Sequence, residues 1–136
     1  MSRGNKRRLN RGNSTVEFAL VAFFLVMLLL GVVEFGRMVL VYTTVANAAR
    51  AGTRYAIVHG SDNAATAAEV KTVVQNFLST APIDPTRATI PDPTYSCSDP
   101  GCSVEITVTY PYDPLISYFP ISGFTFTSTS KGVITY

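Results

Sequence analysis

Tryptophan is absent from this 136-residue chain, histidine occurs once, as His59, and there are two cysteines. One imidazole and two thiols do not make a four-ligand metal site. No glycine-rich phosphate loop and no G-x-S-x-G elbow are present, which removes the usual signatures of nucleotide binding and of serine-hydrolase chemistry. No pair of carboxylates marks a cleft, and His59 reads as a helix-end or surface residue rather than a general base. The expectation is a non-enzyme with no cofactor and no metal. Two further absences are positional. Proline does not occur before Pro82, and residues 18–33 carry no charge. The first allows a very long helix; the second makes part of that helix as apolar as lipid.

The charges that do occur are unevenly spread. Five of the eleven Lys/Arg residues (Arg3, Lys6, Arg7, Arg8 and Arg11) lie in the first twelve positions, without an acid among them. The remainder holds six basic residues against nine acids. Such a stub could be a nucleic-acid-binding arm, but its place directly before an apolar run disfavours that partner. The run itself, FALVAFFLVMLLLGVV, is sixteen residues long, where a bilayer span needs about 20. The gap closes if Glu17 and Glu34 stand at opposite membrane boundaries, where charge costs less than at the centre. A secretory h-region would be shorter and end in a small-x-small cleavage site, which is missing here. A buried helix of a soluble protein is disfavoured, because the run is apolar on every face. The reading is a single span over about residues 16–35 in contact with membrane lipid. The positive-inside bias puts residues 1–11 in the cytoplasm and everything beyond Glu34 on the far side.

The helical pattern continues past the span. Met38, Val41, Tyr42, Val45, Ala48, Ala49, Gly52 and Ala56 recur at three- and four-residue steps, one face of a helix. Glu34 and Arg37 are three apart and can meet on one surface where the helix reaches water. One helix is expected from about Ser14 to Val58, on the order of 65 Å long at 1.5 Å per residue. His59-Gly60-Ser61 ends it, and Ser61 or Asp62 can cap the next element. Residues 64–78 read as a second helix with Val70, Val73, Val74, Phe77 and Leu78 on its apolar face. Pro82 and Pro85 prevent its continuation. Residues 87–95 form a short strand broken by Pro91 and Pro93. Val104, Ile106, Val108 and Tyr110 alternate with polar residues as in a half-buried strand. Residues 111–120 are an aromatic loop, and 124–130 and 133–136 are two strands or one bent strand separated by Lys131-Gly132. The fold class is α+β: a long N-terminal transmembrane helix (13–58) behind a basic leader (1–12), and an extracytoplasmic head (59–136) with a second helix and an antiparallel sheet. The sheet should lie over the outer half of the long helix, since neither is otherwise covered. Cys97 and Cys102 flank Ser98-Asp99-Pro100-Gly101, a turn that can bring them together; outside the cytoplasm a disulfide is expected.

The stretch RGNSTVEFAL at residues 11–20 places a basic leader, a glycine, four residues and a glutamate before the apolar helix. This resembles the type IV prepilin signal. The resemblance implies cleavage on the cytoplasmic side between Gly12 and Asn13 by a prepilin peptidase. Glu17 then becomes the fifth mature residue, placed to pair with the new α-amino group of an adjacent subunit. At finer grain, RGNSTVEFALVAFFLVMLLLGVVEFGR (11–37), with its two Glu-Phe pairs at Glu17-Phe18 and Glu34-Phe35 and the closing Arg37, is similar to the opening signature of the TadE-like family. ANAARAGTRYA (46–56) looks like that family's Ala/Arg-rich continuation. The resemblance implies a pilin-like pseudopilin or minor pilin of the Tad/Flp pilus system, serving adhesion and biofilm formation. Its implied partners are the prepilin peptidase, other pilins and pseudopilins, and the Tad inner-membrane platform. Gly12 and Asn13 are the implied processing site, and Glu17, Phe18, Glu34 and Arg37 the implied assembly residues. The implied location is the cytoplasmic membrane, with incorporation into a pilus a further step. The rival reading is an uncleaved, membrane-anchored envelope scaffold or binding protein.

Overall fold

The computed structural model describes residues 9–59, 65–98, 101–115 and 123–134, with side chains from residue 14 onward. Helix α1 runs without interruption over Leu9–Val58. Helix α2 covers Ala67–Leu78 and a 3₁₀ turn covers Pro85–Arg87. Three strands follow, β1 (Thr94–Ser98), β2 (Gly101–Tyr112) and β3 (Phe124–Ile134), in one antiparallel sheet of order β1-β2-β3. This is the α+β arrangement expected from the sequence. Two compact units result, residues 1–37 and residues 38–136.

Within the first unit, α1 is a helix without a core. Its large apolar side chains from Val16 to Val33 are all exposed, most by more than half. Ser14–Val58 is long and apolar enough to cross a membrane.

In the second unit the rest of α1 has two faces. Val41, Val45, Ala48, Ala49 and Ala56 are buried, at the three- and four-residue steps of one helix stripe. They share a core with Val70, Val74 and Leu78 of α2 and with the inward face of β2, Val104, Ile106, Val108, Tyr110 and Tyr112. The strict alternation of β2 follows from its pleat: one face meets the helices, and Ser103, Glu105, Thr107 and Thr109 face outward. On that outer face the hydroxyls of Thr107 and Thr129 lie 3.0 Å apart, and those of Thr109 and Thr127 3.2 Å apart.

Small residues on α1 set how closely the layers approach. A Cβ built on Gly52 would stand 2.6 Å from Val74 Cγ2 and 3.3 Å from Ile106 Cδ1. A Cβ on Gly132 of β3 would collide with Ile57 and stand 2.9 Å from Thr53 Cγ2. Gly132 therefore lies inside a continuous strand because the α1 side chains leave no room for anything larger. It does not divide β3 into two strands.

Helix α2 begins three residues later than its apolar pattern suggests. Thr66 is the N-cap, and a full capping box joins it to Glu69. The Thr66 N–H donates to Glu69 Oε2 at 2.9 Å, and the Glu69 N–H donates to Thr66 Oγ1 at 3.3 Å. Two otherwise orphaned helix-terminal donors are thereby satisfied. The expected caps Ser61 and Asp62, with Gly60, lie outside the described residues.

The expected strand over 87–95 is displaced. Asp84 caps the 3₁₀ turn through its bond from the Thr86 N–H at 2.9 Å. Thr89 then makes an isolated bridge to Thr109, and pairing with β2 resumes only at Thr94 opposite Glu105. Pro91 and Pro93 lack the N–H groups a ladder needs, so the segment between the two pairings leaves the sheet. Beyond it, Tyr95 donates its hydroxyl to the Ala65 carbonyl at 3.0 Å; burial pushes the Tyr95 phenol up from its ordinary pKa. Cys97 and Cys102 sit opposite each other in the β1–β2 register and form a disulfide. With a sequence separation of 5, chain-entropy reasoning gives about 2 kcal/mol of stabilisation. The intervening residues 99 and 100 lie outside the described residues, as do 116–120 of the expected aromatic loop; residues 111 and 112 belong to β2.

Candidate assembly surface of the long helix

Gly12 and Asn13 fall within the first turns of α1, and their side chains lie outside the described ones. Glu17 and Phe18 are exposed, Phe18 to 74 %. Glu34 and Arg37 are half-buried, close to the end of the first unit. α1 thus holds Gly12 and Asn13, the first Glu-Phe pair, the apolar run and the second Glu-Phe pair in that order on one helix. It does not gather them into a cleft. Consecutive helical residues are turned by roughly 100°, so these groups form a linear surface and not a catalytic constellation.

Two features of this surface take their residue assignments from the structure. Gly31 and Gly36 face open space, since a Cβ on either would meet nothing within 4 Å. A helix-interior glycine costs roughly 1 kcal/mol relative to alanine, and no packing among the described residues accounts for either one. The spacing of small residues in and just after the apolar run is the available signal. The second feature is the outward face of α1 in the head unit. Tyr42, Thr43, Asn47, Arg50 and Arg54 are exposed there, away from the buried Val41–Ala56 stripe. The Arg50 guanidinium donates to Asn47 Oδ1 at 3.4 Å. The ANAARAG stretch therefore divides by face. Its Ala48, Ala49 and Gly52 are buried in the head, and its Asn47 and Arg50 are exposed.

Among the described residues no three His, Cys, Asp or Glu side chains come together as a metal site. Every buried side-chain nitrogen or oxygen among them has a hydrogen-bond partner. The ion pairs Lys71–Asp92, at 2.7 Å, and Arg87–Asp113, at 2.6 Å, join partly exposed cations to exposed carboxylates of the head, where such pairs contribute little.

Nothing among the curated proteins or the solved structures matches the chain. A family comparison does: residues 12–54, from Gly12 through the apolar run to the outward-facing Arg54, match the family described as TadE-like protein.

Proposed function

We propose that this protein is a bitopic pseudopilin or minor pilin of a Tad-type pilus system, with its basic leader in the cytoplasm and its α+β head outside. The observation that carries the reading is the pairing of a TadE-like segment with a fully exposed apolar helix that continues, unbroken, into the core of a folded head. A helix bare on all sides is stable only among lipid chains or other apolar helices. Gly31 and Gly36 support the second environment, because small residues let neighbouring helices approach closely. In this reading a prepilin peptidase cuts the Gly12–Asn13 bond. The Glu17 carboxylate then pairs with the α-amino group of a neighbouring subunit's Asn13. An unpaired carboxylate at the membrane edge is costly, so that pairing favours assembly and sets subunit register. The folded head suits a minor or priming subunit at a filament tip or base.

N-terminal sequencing of the protein from cells that carry the pilus system separates this reading from a permanently anchored scaffold. Asn13 as first residue supports the pseudopilin, and an intact leader supports the scaffold. The variant Gly12→Val is expected to accumulate as uncut precursor, and Glu17→Ala to be cut but to assemble poorly. A mature-sized Gly12→Val product or normal piliation with Glu17→Ala would remove the respective role.

A further inference from the structure

The sheet has one guarded edge and one open edge. At the guarded edge β1 has 5 residues, and Pro91 and Pro93 precede it. At the other edge β3 pairs with β2 residue for residue from Phe124 to Ile134, with no proline and a single charge, Lys131. Which of its main-chain groups face outward follows from β2. The Thr89 N–H donates to the Thr109 carbonyl at 2.8 Å, and the Thr109 N–H donates to the Thr89 carbonyl at 3.0 Å. Antiparallel bonding alternates along a strand, so Thr109 serves that side and its neighbours Val108 and Tyr110 bond β3. Thr127, opposite Thr109, therefore turns its N–H and C=O away from the sheet, and Thr125, Thr129, Lys131 and Val133 do the same. All five residues are exposed, and no hydrogen bond to these outward groups is made among the described residues. An edge of this length without proline, bulge or clustered charge is a template for another strand.

Charge selects the kind of strand. Tyr42 of α1 meets Phe126, Thr53 bonds the Ser130 carbonyl, and Thr53 and Ile57 close on Gly132. From Tyr42 to Ile57 the helix advances about 22 Å, and from Phe126 to Gly132 the strand advances about 20 Å. This part of α1 and β3 therefore run side by side in one direction. Arg50 and Arg54 stand roughly 60° and 100° around the helix from Thr53, on the side away from Gly52, which faces α2. They flank the space beyond the open edge, on the inner side of the sheet. Both are exposed. The Arg50 guanidinium bonds Asn47, and neither arginine has a carboxylate partner among the described residues. One helical turn separates them by about 5.4 Å along the axis. Alternate side chains of a strand are about 6.7 Å apart, a near match.

We infer that the groove between the β3 edge and the Arg50–Arg54 flank of α1 takes an extended peptide strand from another protein, one with carboxylates at two alternate positions. Its main chain bonds the outward groups from Thr125 to Val133, and its two carboxylates pair with Arg50 and Arg54. Every residue involved belongs to the unit 38–136.

The test is fluorescence anisotropy with the full chain in non-ionic detergent micelles and the labelled peptide TVDVDVT, whose two aspartates share one face of a strand. Expected is saturable binding that weakens with salt and is about tenfold weaker for the neutral isostere TVNVNVT. The double variant Arg50→Ala with Arg54→Ala should lose the preference for aspartate. Arg50→Glu with Arg54→Glu should instead prefer TVKVKVT. Thr129→Pro removes one outward N–H and leaves the β2–β3 ladder whole, so it should weaken binding about fivefold. Two N-methylated forms of TVDVDVT, each blocking one alternate set of amides, make the same test without touching the protein: one should lose binding and the other keep it. Equal binding by both forms would exclude strand addition and overturn the inference. Equal binding of TVDVDVT and TVNVNVT, or an aspartate preference that survives loss of both arginines, would overturn it as well. Failure of TVDVDVT to bind also overturns it; self-crosslinking of a Thr129→Cys chain would then assign the edge to a second copy.

Discussion

The Thr53 hydroxyl of α1 lies 3.2 Å from the Ser130 carbonyl of β3, 77 positions along the chain. It also lies 3.0 Å from the Ala49 carbonyl of its own helix. A buried hydroxyl thus ties the helix directly to β3. Thr53→Val keeps the shape and removes the donor. The expected loss is about 1 kcal/mol, because the two acceptors lose a partner in a dry site. For a unit of this size that corresponds to a Tm lower by roughly 4–8 °C, measured on the full chain in detergent micelles. Thr43→Val, whose exposed hydroxyl bonds only the Val39 and Leu40 carbonyls of its own helix, should leave Tm nearly unchanged. Equal shifts for the two variants would deny Thr53 its cross-element role.

Gly52 and Val74 define how closely α1 and α2 pack. Alanine in mid-helix is favoured over glycine by roughly 1 kcal/mol. At position 52, however, its methyl would meet Val74 Cγ2, and a valine in a helix has little rotamer freedom to yield. Overpacking of about 1–3 kcal/mol should win, so Gly52→Ala destabilises. Val74→Ala should then cost less in the Gly52→Ala background than alone, a coupling that a double-mutant cycle in denaturant measures. Additive effects would mean that the two residues do not press on each other.

Glu69 supplies a pH dependence. The Thr66 backbone N–H, and then the Thr66 hydroxyl, hold its carboxylate below the ordinary value of 4.5. A carboxylate whose folded pKa is lowered stabilises the fold above its unfolded pKa, and that contribution disappears as pH falls through the lowered folded value. Stability against denaturant should therefore decline below about pH 4.5, with Asp84, lowered by its bonds from Thr86, contributing further down in the same direction. Glu69→Gln keeps an acceptor for the Thr66 N–H and should flatten the upper part of that decline. An unchanged profile in Glu69→Gln would assign the acid sensitivity to other groups.

Much of the architecture is legible in local pattern. The absence of proline before Pro82 and the steps from Met38 to Ala56 describe α1 and its buried stripe, and the alternation from Val104 to Tyr110 describes β2. What escapes depends on partners remote in sequence or on competing local chemistry. Lys131-Gly132 reads as a break, because the close approach of Thr53 and Ile57 that requires glycine is invisible in the chain itself. The capping box at Thr66-Ala67-Ala68-Glu69 is present in the sequence, but an apolar count that begins at Ala64 conceals it. Pro91 and Pro93 do interrupt the sheet, yet pairing resumes beyond them at Thr94, so Cys97 belongs to a strand and not to a loop. The site is legible as an ordered series of residues along α1. Its open glycines, and which residues of the two-sided ANAARAG stretch face inward, require coordinates.

The bond between Thr53 and Ser130 also has a consequence for the order of events during synthesis. The stripe of α1 from Val41 to Ala56 leaves the ribosome early, yet β3 is made on the order of eighty residues later, and pairings of such long sequence separation form slowly. Until that strand arrives, the edge of α1 around Thr53 and Ile57, which Gly132 of β3 closes, has no cover. A chain in synthesis must therefore keep an unfinished helix face from its neighbours, and delivery of the final strand sets the moment at which that face closes.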